Sequence, residues 1–100
     1  MIFINSRAII LREINKEENI LIQIRHKDGE RQCFELPGGR IEPFESVTEA
    51  LRREVLEETG LRIVSIEGEN ERVDTSGCGY DFSVECLQPF ACYQTLKGPV

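Results

Sequence analysis

The first third of the chain carries the two-residue alternation of apolar and polar side chains that marks extended backbone. Phe3 to Ile14 is rich in β-branched and apolar residues and predicts a first strand. Polar Asn15 to Asn19 predicts a turn. In Ile20 to Arg25, Ile20, Ile22 and Ile24 share one face and Gln23 and Arg25 the other, the pattern of a half-buried strand. Lys27-Asp28-Gly29-Glu30 contains an Asp-Gly pair, a strong hairpin signal, and Gln32 to Leu36 is expected to return as the partner strand. Pro37-Gly38-Gly39 should stop it, because proline lacks an amide donor and glycine tolerates unusual dihedrals.

The period then changes. Ser46-x-x-Glu49 has the spacing of a capping box, good helix formers follow, and Gly60 stands where a helix C-cap belongs. Leu61 to Glu67 predicts another strand, Glu69 to Gly79 a polar loop, and Tyr80 to Leu87 and Phe90 to Leu96 further strand interrupted at Pro89. Many strands around one helix indicate an α+β or α/β sandwich. At 100 residues the chain is one domain, 1–100. Gly98-Pro99 is turn chemistry with only Val100 after it, so the domain is expected to lack a C-terminal portion. That leaves an open sheet edge near Phe90 to Leu96, through which two copies are expected to pair.

Composition narrows the function classes. Charged residues make up 30% and hydrophobic residues 40%, which suits a folded domain rather than a disordered tail. A net charge of -6 argues against binding nucleic acid through bulk charge. No apolar run approaches the ~18 residues of a membrane span. Met1 to Ile14 lacks a basic leader and is interrupted by Arg7 and Arg12, so no signal peptide is read. Cys33, Cys78, Cys86 and Cys92 form no C-x-x-C pair, and His26 is not at zinc-ligand spacing from them. They are expected to be buried or neutral thiols in a cytoplasmic protein.

The helix carries the candidate chemistry. At about 100° per residue, Val47, Leu51 and Val55 form an apolar stripe with Ala50 beside it. Glu54 and Glu58 fall in the same arc and Glu57 at its edge, while Thr48, Glu49, Arg52 and Leu56 lie opposite. Three carboxylates spaced i, i+3, i+4 beside an apolar stripe repel one another, and partial burial adds desolvation cost. Arg53 or a divalent cation would offset this, and oxygen donors without His or Cys favour a hard ion, Mg²⁺ or Mn²⁺. A solvated acidic face would give the same wheel.

The surrounding spacing adds a family resemblance. Gly39, five residues, Glu45, seven residues, then Arg53-Glu54-Val55-Leu56-Glu57-Glu58-Thr59-Gly60-Leu61 resembles the Nudix box, G-x5-E-x7-R-E-U-x-E-E-x-G-U with U aliphatic, at all nine specified positions. Leu36-Pro37-Gly38 resembles its usual lead-in. The resemblance implies an α/β/α sandwich with a mixed sheet and a Mg²⁺- or Mn²⁺-dependent hydrolase that cleaves the diphosphate of a nucleoside diphosphate linked to another group. It implies Glu54, Glu57 and Glu58, with the Gly39 carbonyl, as metal ligands, Arg53 as the residue that orients a glutamate, and Glu45 and Gly38 in support.

The substrate is expected to be a small nucleotide-type molecule. Arg25, beside His26 and Lys27, is a candidate for phosphate contact and Phe34 for a nucleobase; solvated hairpin charges and a core aromatic are the plainer readings of the same residues. Family members acting on ADP-ribose often carry a proline after the box, but 74–78 has none and Pro89 is the next. Tyr80 is not cleanly placed for diadenosine polyphosphates, and no coenzyme A motif precedes Leu36. The competing functions are a nucleotide-binding regulatory module without turnover and an inactive fragment of the enzyme. Such modules often lose box acids, and this sequence retains them all.

Overall fold

A computed structural model of the protein describes residues 2–26, 28–69, 72–73 and 84–96. They fall into two compact units, Met1–Val64 and Ser65–Val100. The first contains six strands and the helix: β1 (Asn5–Arg7), β2 (Leu11–Ile14), β3 (Glu17–Ile20), β4 (Gln23–Arg25), β5 (Cys33–Glu35), β6 (Gly38–Arg40) and α1 (Val47–Thr59). The second contains β7 (Arg72–Val73) and β8 (Val84–Glu85), paired antiparallel. The class is α+β, as expected. Among the described residues every strand pair is antiparallel and α1 is the one helix, so neither a mixed sheet nor a second helical layer is formed by them.

Three ladders build the first unit. β1 pairs with β6 in the register Asn5↔Arg40, Ser6↔Gly39, Arg7↔Gly38, extended by Ala8 N–H to the Pro37 carbonyl at 2.7 Å and Ile41 N–H to the Ile4 carbonyl at 2.9 Å. β2 and β3 form a hairpin closed by Asn15 and Lys16, both at positive φ (51° and 64°), the dihedrals of a two-residue turn that follows strand twist. β4 pairs with β5 (Gln23↔Glu35, Ile24↔Phe34, Arg25↔Cys33) across the loop containing Asp28-Gly29. The hairpin expected there is present.

Several sequence expectations are corrected. Phe3–Ile14 is two strands rather than one, because β1 leaves to pair with β6 and β2 turns into its own hairpin. The turn after it takes only Asn15 and Lys16, and Glu17–Ile20 is strand. β5 stops before Pro37 as expected, but Gly38 and Gly39 then enter a further strand, β6. Gly38 sits at φ 145°, and a Cβ there would collide with the Ser6 carbonyl, so glycine is what lets β6 approach β1. Residues 61–66 and 86–96 form no strand; β-rich sequence without a ladder partner does not make one. The sheet edge expected near Phe90 to Leu96 is therefore absent, and Phe90, Tyr93 and Leu96 are exposed. Cys78, Tyr80 and Phe82 lie outside the described residues. Cys33, Cys86 and Cys92 are free, and exposed rather than buried.

The helix ends where the sequence places its caps. Ser46 Oγ accepts the Glu49 amide at 3.1 Å, and Gly60, at φ 75°, donates its amide to the Leu56 carbonyl at 3.0 Å. α1 packs on β6 and β1, and among the described residues the buried apolar side chains are Ala8, Pro37, Ala50 and Val55. The buried face differs from the wheel: Thr48 is buried, its hydroxyl 3.3 Å from Ser46 Oγ, and Val47 is exposed. The isoleucine face is corrected too. Ile20, Ile22 and Ile24 stay outside, whereas Gln23 and Arg25 are half-buried. No helix among the described residues is long and apolar enough to cross a membrane.

One turn shows unrelieved strain. Glu45 N–H bonds the Glu42 carbonyl at 3.1 Å, closing Glu42-Pro43-Phe44-Glu45. Pro43 holds the second position and Phe44 the third at φ 65°, where a type II turn favours glycine. The Phe44 ring is fully exposed and gains no burial in return. Phe44→Gly should raise stability by about 0.5–1 kcal/mol, the left-handed penalty less the extra chain entropy of glycine. Thermal unfolding checks this: the midpoint should rise by a few degrees, and an unchanged or lower midpoint counts against strain at Phe44.

Candidate active site

The site begins with a close approach of backbone to side chain. A Cβ on Gly39 would lie 2.6 Å from Glu54 Cδ and within 2.9 Å of both its carboxylate oxygens. Glycine at 39 therefore makes the space in which the Glu54 carboxylate rests on β6. That side chain is only 17% exposed. Holding a carboxylate there needs a compensating positive charge, and Arg53 supplies it with Nη1 2.9 Å from Glu54 Oε1.

Arg53 gathers more than one acid. Its Nε donates to Glu45 Oε2 at 2.7 Å and its Nη2 to Glu45 Oε1 at 2.9 Å, a two-point fork between the helix and the preceding turn. Nη2 also donates to the Arg40 carbonyl at 3.1 Å, which attaches the helix to the end of β6. Nη1 reaches Glu57 Oε2 at 3.5 Å, and Glu42 lies 3.9 Å from Nη2. The hydrogen bond from Arg53 holds the Glu45 carboxyl down at about 2, aided by the Glu42 backbone, and the same contact raises the guanidinium pKa further.

Glu58 is anchored separately. Its Oε2 accepts Gln23 Nε2 at 2.8 Å and the Gly38 amide at 3.0 Å. Arg7, behind this loop, donates from Nη1 to the carbonyls of Leu36 at 3.1 Å and Gly38 at 3.2 Å, and lies 3.8 Å from Glu35 Oε1. Arg7 and Gln23 were not among the sequence candidates. The signal for Gln23 was the alternation of β4, which paired it with Arg25 but did not tell which face meets the helix. Nothing local marks Arg7, whose partners lie 29 and 31 residues away.

The structure thus brings Arg53, Glu45, Glu54 and Gly39 together, with Glu57 at the margin, and joins Glu58 to Gly38. The acids do not converge as the helix spacing suggested. Among the described residues, no group of three or more His, Cys, Asp or Glu side chains is placed to hold a metal ion. Arg53 occupies two of the carboxylates, while Gln23 and Gly38 occupy the third. The donor set still suits a hard divalent ion, being all oxygen. Glu54 Oε1 and Glu57 Oε2 already reach one cationic atom, and the Gly39 cradle leaves Glu54 beside backbone. Arg25 lies 3.8 Å from Glu35, 40% exposed. Phe34, 68% exposed, pairs with Ile24 on the face of the β4–β5 ladder opposite Gln23 and is not brought to the box.

The Glu45–Arg53 pair has an acid signature. Because the folded carboxyl titrates near 2 and an ordinary one near 4.5, its contribution is complete above about 4.5 and is lost as pH falls toward 2. Urea midpoints of the wild type should fall more steeply between pH 5 and pH 2 than those of Glu45→Gln. Parallel profiles would mean that the fork adds nothing to folding.

Comparison with known proteins supplies the context for this geometry. The NUDIX domain model matches residues 4–98. The chain is 40% identical over 78 residues to a Bacillus subtilis (strain 168) protein named "Putative 8-oxo-dGTP diphosphatase YtkD", covering 71% of the chain and 49% of that relative. It is 38% identical over 73 residues to the ADP-ribose pyrophosphatase of Methanocaldococcus jannaschii, covering 71% of the chain and 43% of the relative. It is 46% identical over 57 residues to the Homo sapiens 8-oxo-dGDP phosphatase NUDT18, covering 54% of the chain and 16% of the relative. The chain spans about half the length of the first two relatives. No solved structure matches it. With the match running almost from end to end across an intact Gly39–Leu61 pattern, the chain belongs to the Nudix family.

Proposed function

We propose that the protein hydrolyses the diphosphate linkage of a nucleoside diphosphate derivative with the help of Mg²⁺ or Mn²⁺. The observation that carries this reading is Glu54 seated on Gly39 and neutralised by Arg53, with Glu57 and Glu58 one turn further along the same helix. Glu54, Glu57 and Glu58, with the Gly39 carbonyl, would hold the ion. When bound, it supplies the positive charge that lets a diphosphate approach an acidic surface, and it acidifies water.

The chain's own residues do the rest. Arg53 holds the Glu54 carboxylate beside Gly39 of β6, and its fork to Glu45 fixes the helix relative to the turn. Release of Glu57 from its long 3.5 Å contact with Arg53 costs little, because that side chain is 60% exposed. Water adds to one phosphorus, the bridging P–O bond breaks, and a box carboxylate takes up the proton. Gly38 and Gly39 let β6 approach Ser6 and the Glu54 carboxylate closely, which keeps that acid beside the strand.

The names of the relatives suggest 8-oxo-dGTP, 8-oxo-dGDP and ADP-ribose as the first substrates to test. Product formation should require Mg²⁺ or Mn²⁺ and stop on chelation. Glu57→Gln and Glu58→Gln should each lower kcat by roughly a hundredfold or more while the circular dichroism spectrum stays unchanged. Wild-type rates in both variants would remove the metal assignment. Tight nucleotide binding without product would favour the regulatory module.

A further inference from the structure

We infer that Gln23 is a positioning residue for the active site: it holds Glu58 by one oxygen so that the carboxylate meets a divalent cation through the other. The inference rests on the proposed metal-dependent reading and adds to it a residue outside the Gly39–Leu61 pattern.

The geometry is specific. Gln23 Nε2 and the Gly38 amide both donate to Oε2 of Glu58, at 2.8 and 3.0 Å. A carboxylate oxygen offers two lone pairs, so two donors saturate Oε2, and Oε1 takes part in neither bond. Glu58 is an exposed side chain at the C-terminal end of α1, where free rotation about its torsions would carry the carboxylate away from Gly39. Gly38 is fixed by β6 pairing with β1 and by Arg7 on its carbonyl, so one donor is rigid backbone. Gln23 is fixed by β4 pairing with β5 and is half-buried. Two donors from two different ladders define the plane of the carboxylate, which one donor could not do. This also accounts for the inversion of β4: the polar face turns inward because Glu58 is there to receive Gln23. Outer hydrogen bonds of this kind orient metal ligands, and their loss commonly weakens binding tenfold or more.

The test is a double-mutant cycle on the intact protein, with Mn²⁺ alone as the probe and binding read by electron paramagnetic resonance. Gln23→Met keeps the length of the side chain and removes the donor. It should weaken Mn²⁺ binding about tenfold and leave the metal-free unfolding midpoint nearly unchanged. In Glu58→Gln the same change should add little, so the double variant should bind like Glu58→Gln alone. With substrate, the Mn²⁺ concentration for half-maximal rate should rise while KM at saturating metal is kept. If Gln23→Met fails to fold, Gln23→Asn, which shortens the reach by one methylene, should give the same weakening. Unchanged Mn²⁺ affinity in the Gln23 variants, or an effect fully additive with Glu58→Gln, overturns the inference while wild-type binding and its loss in Glu57→Gln preserve the metal-dependent reading. A wild type that binds no Mn²⁺ overturns both.

Discussion

The two-point ion pair between Arg53 and Glu45 is the contact on which the arrangement depends. It ties the middle of the helix to the turn that delivers it. The same guanidinium reaches the Arg40 carbonyl at the end of β6 and the Glu54 carboxylate lying on Gly39. One planar, permanently charged group thereby fixes helix, turn and strand together, which an ammonium with a single point of charge could not do. Without it, Glu54 would face backbone and neighbouring acids uncompensated, and repulsion would drive it into solvent.

The glycines set how near the helix can come. Gly38 must approach Ser6 and Gly39 must approach Glu54, and any side chain at either position would open the gap. The apolar core under the helix is correspondingly small, with Ala8, Ala50, Val55 and Pro37 at its centre. Order at the site therefore comes from hydrogen bonds and ion pairs more than from bulk burial. Such contacts are directional, so they hold side chains in defined orientations where a small apolar core could not.

Exposed apolar groups mark the far side of the β4–β5 ladder. Ile24 and Phe34 are direct cross-strand partners, 60% and 68% exposed, and Ile22 is exposed beside them in sequence. The polar residues of β4 turn the other way, towards Glu58 and Glu35. Hydrophobicity alone would have ordered these faces in reverse. Pairing with those two carboxylates accompanies the reversal: Gln23 hydrogen-bonds Glu58 and Arg25 lies beside Glu35.

The sequence by itself determined the helix, its two caps, the β4–β5 hairpin and the spacing that sets Glu45, Arg53, Glu54, Glu57 and Glu58 in one repeating frame. These are local properties: capping, turn chemistry and helical period act over a few residues. Only the tertiary structure decided that Phe3–Ile14 divides between two partners, that Gly38 and Gly39 become a strand, and that β4 turns its polar face inward. It alone brought Arg7 to Gly38 and Gln23 to Glu58, across separations of 31 and 35 residues. It also divided the three acids between Arg53 on one side and Gln23 with Gly38 on the other. The periodicity of a strand tells which residues share a face, but which face turns inward depends on the charges and backbone amides that distant segments bring against it.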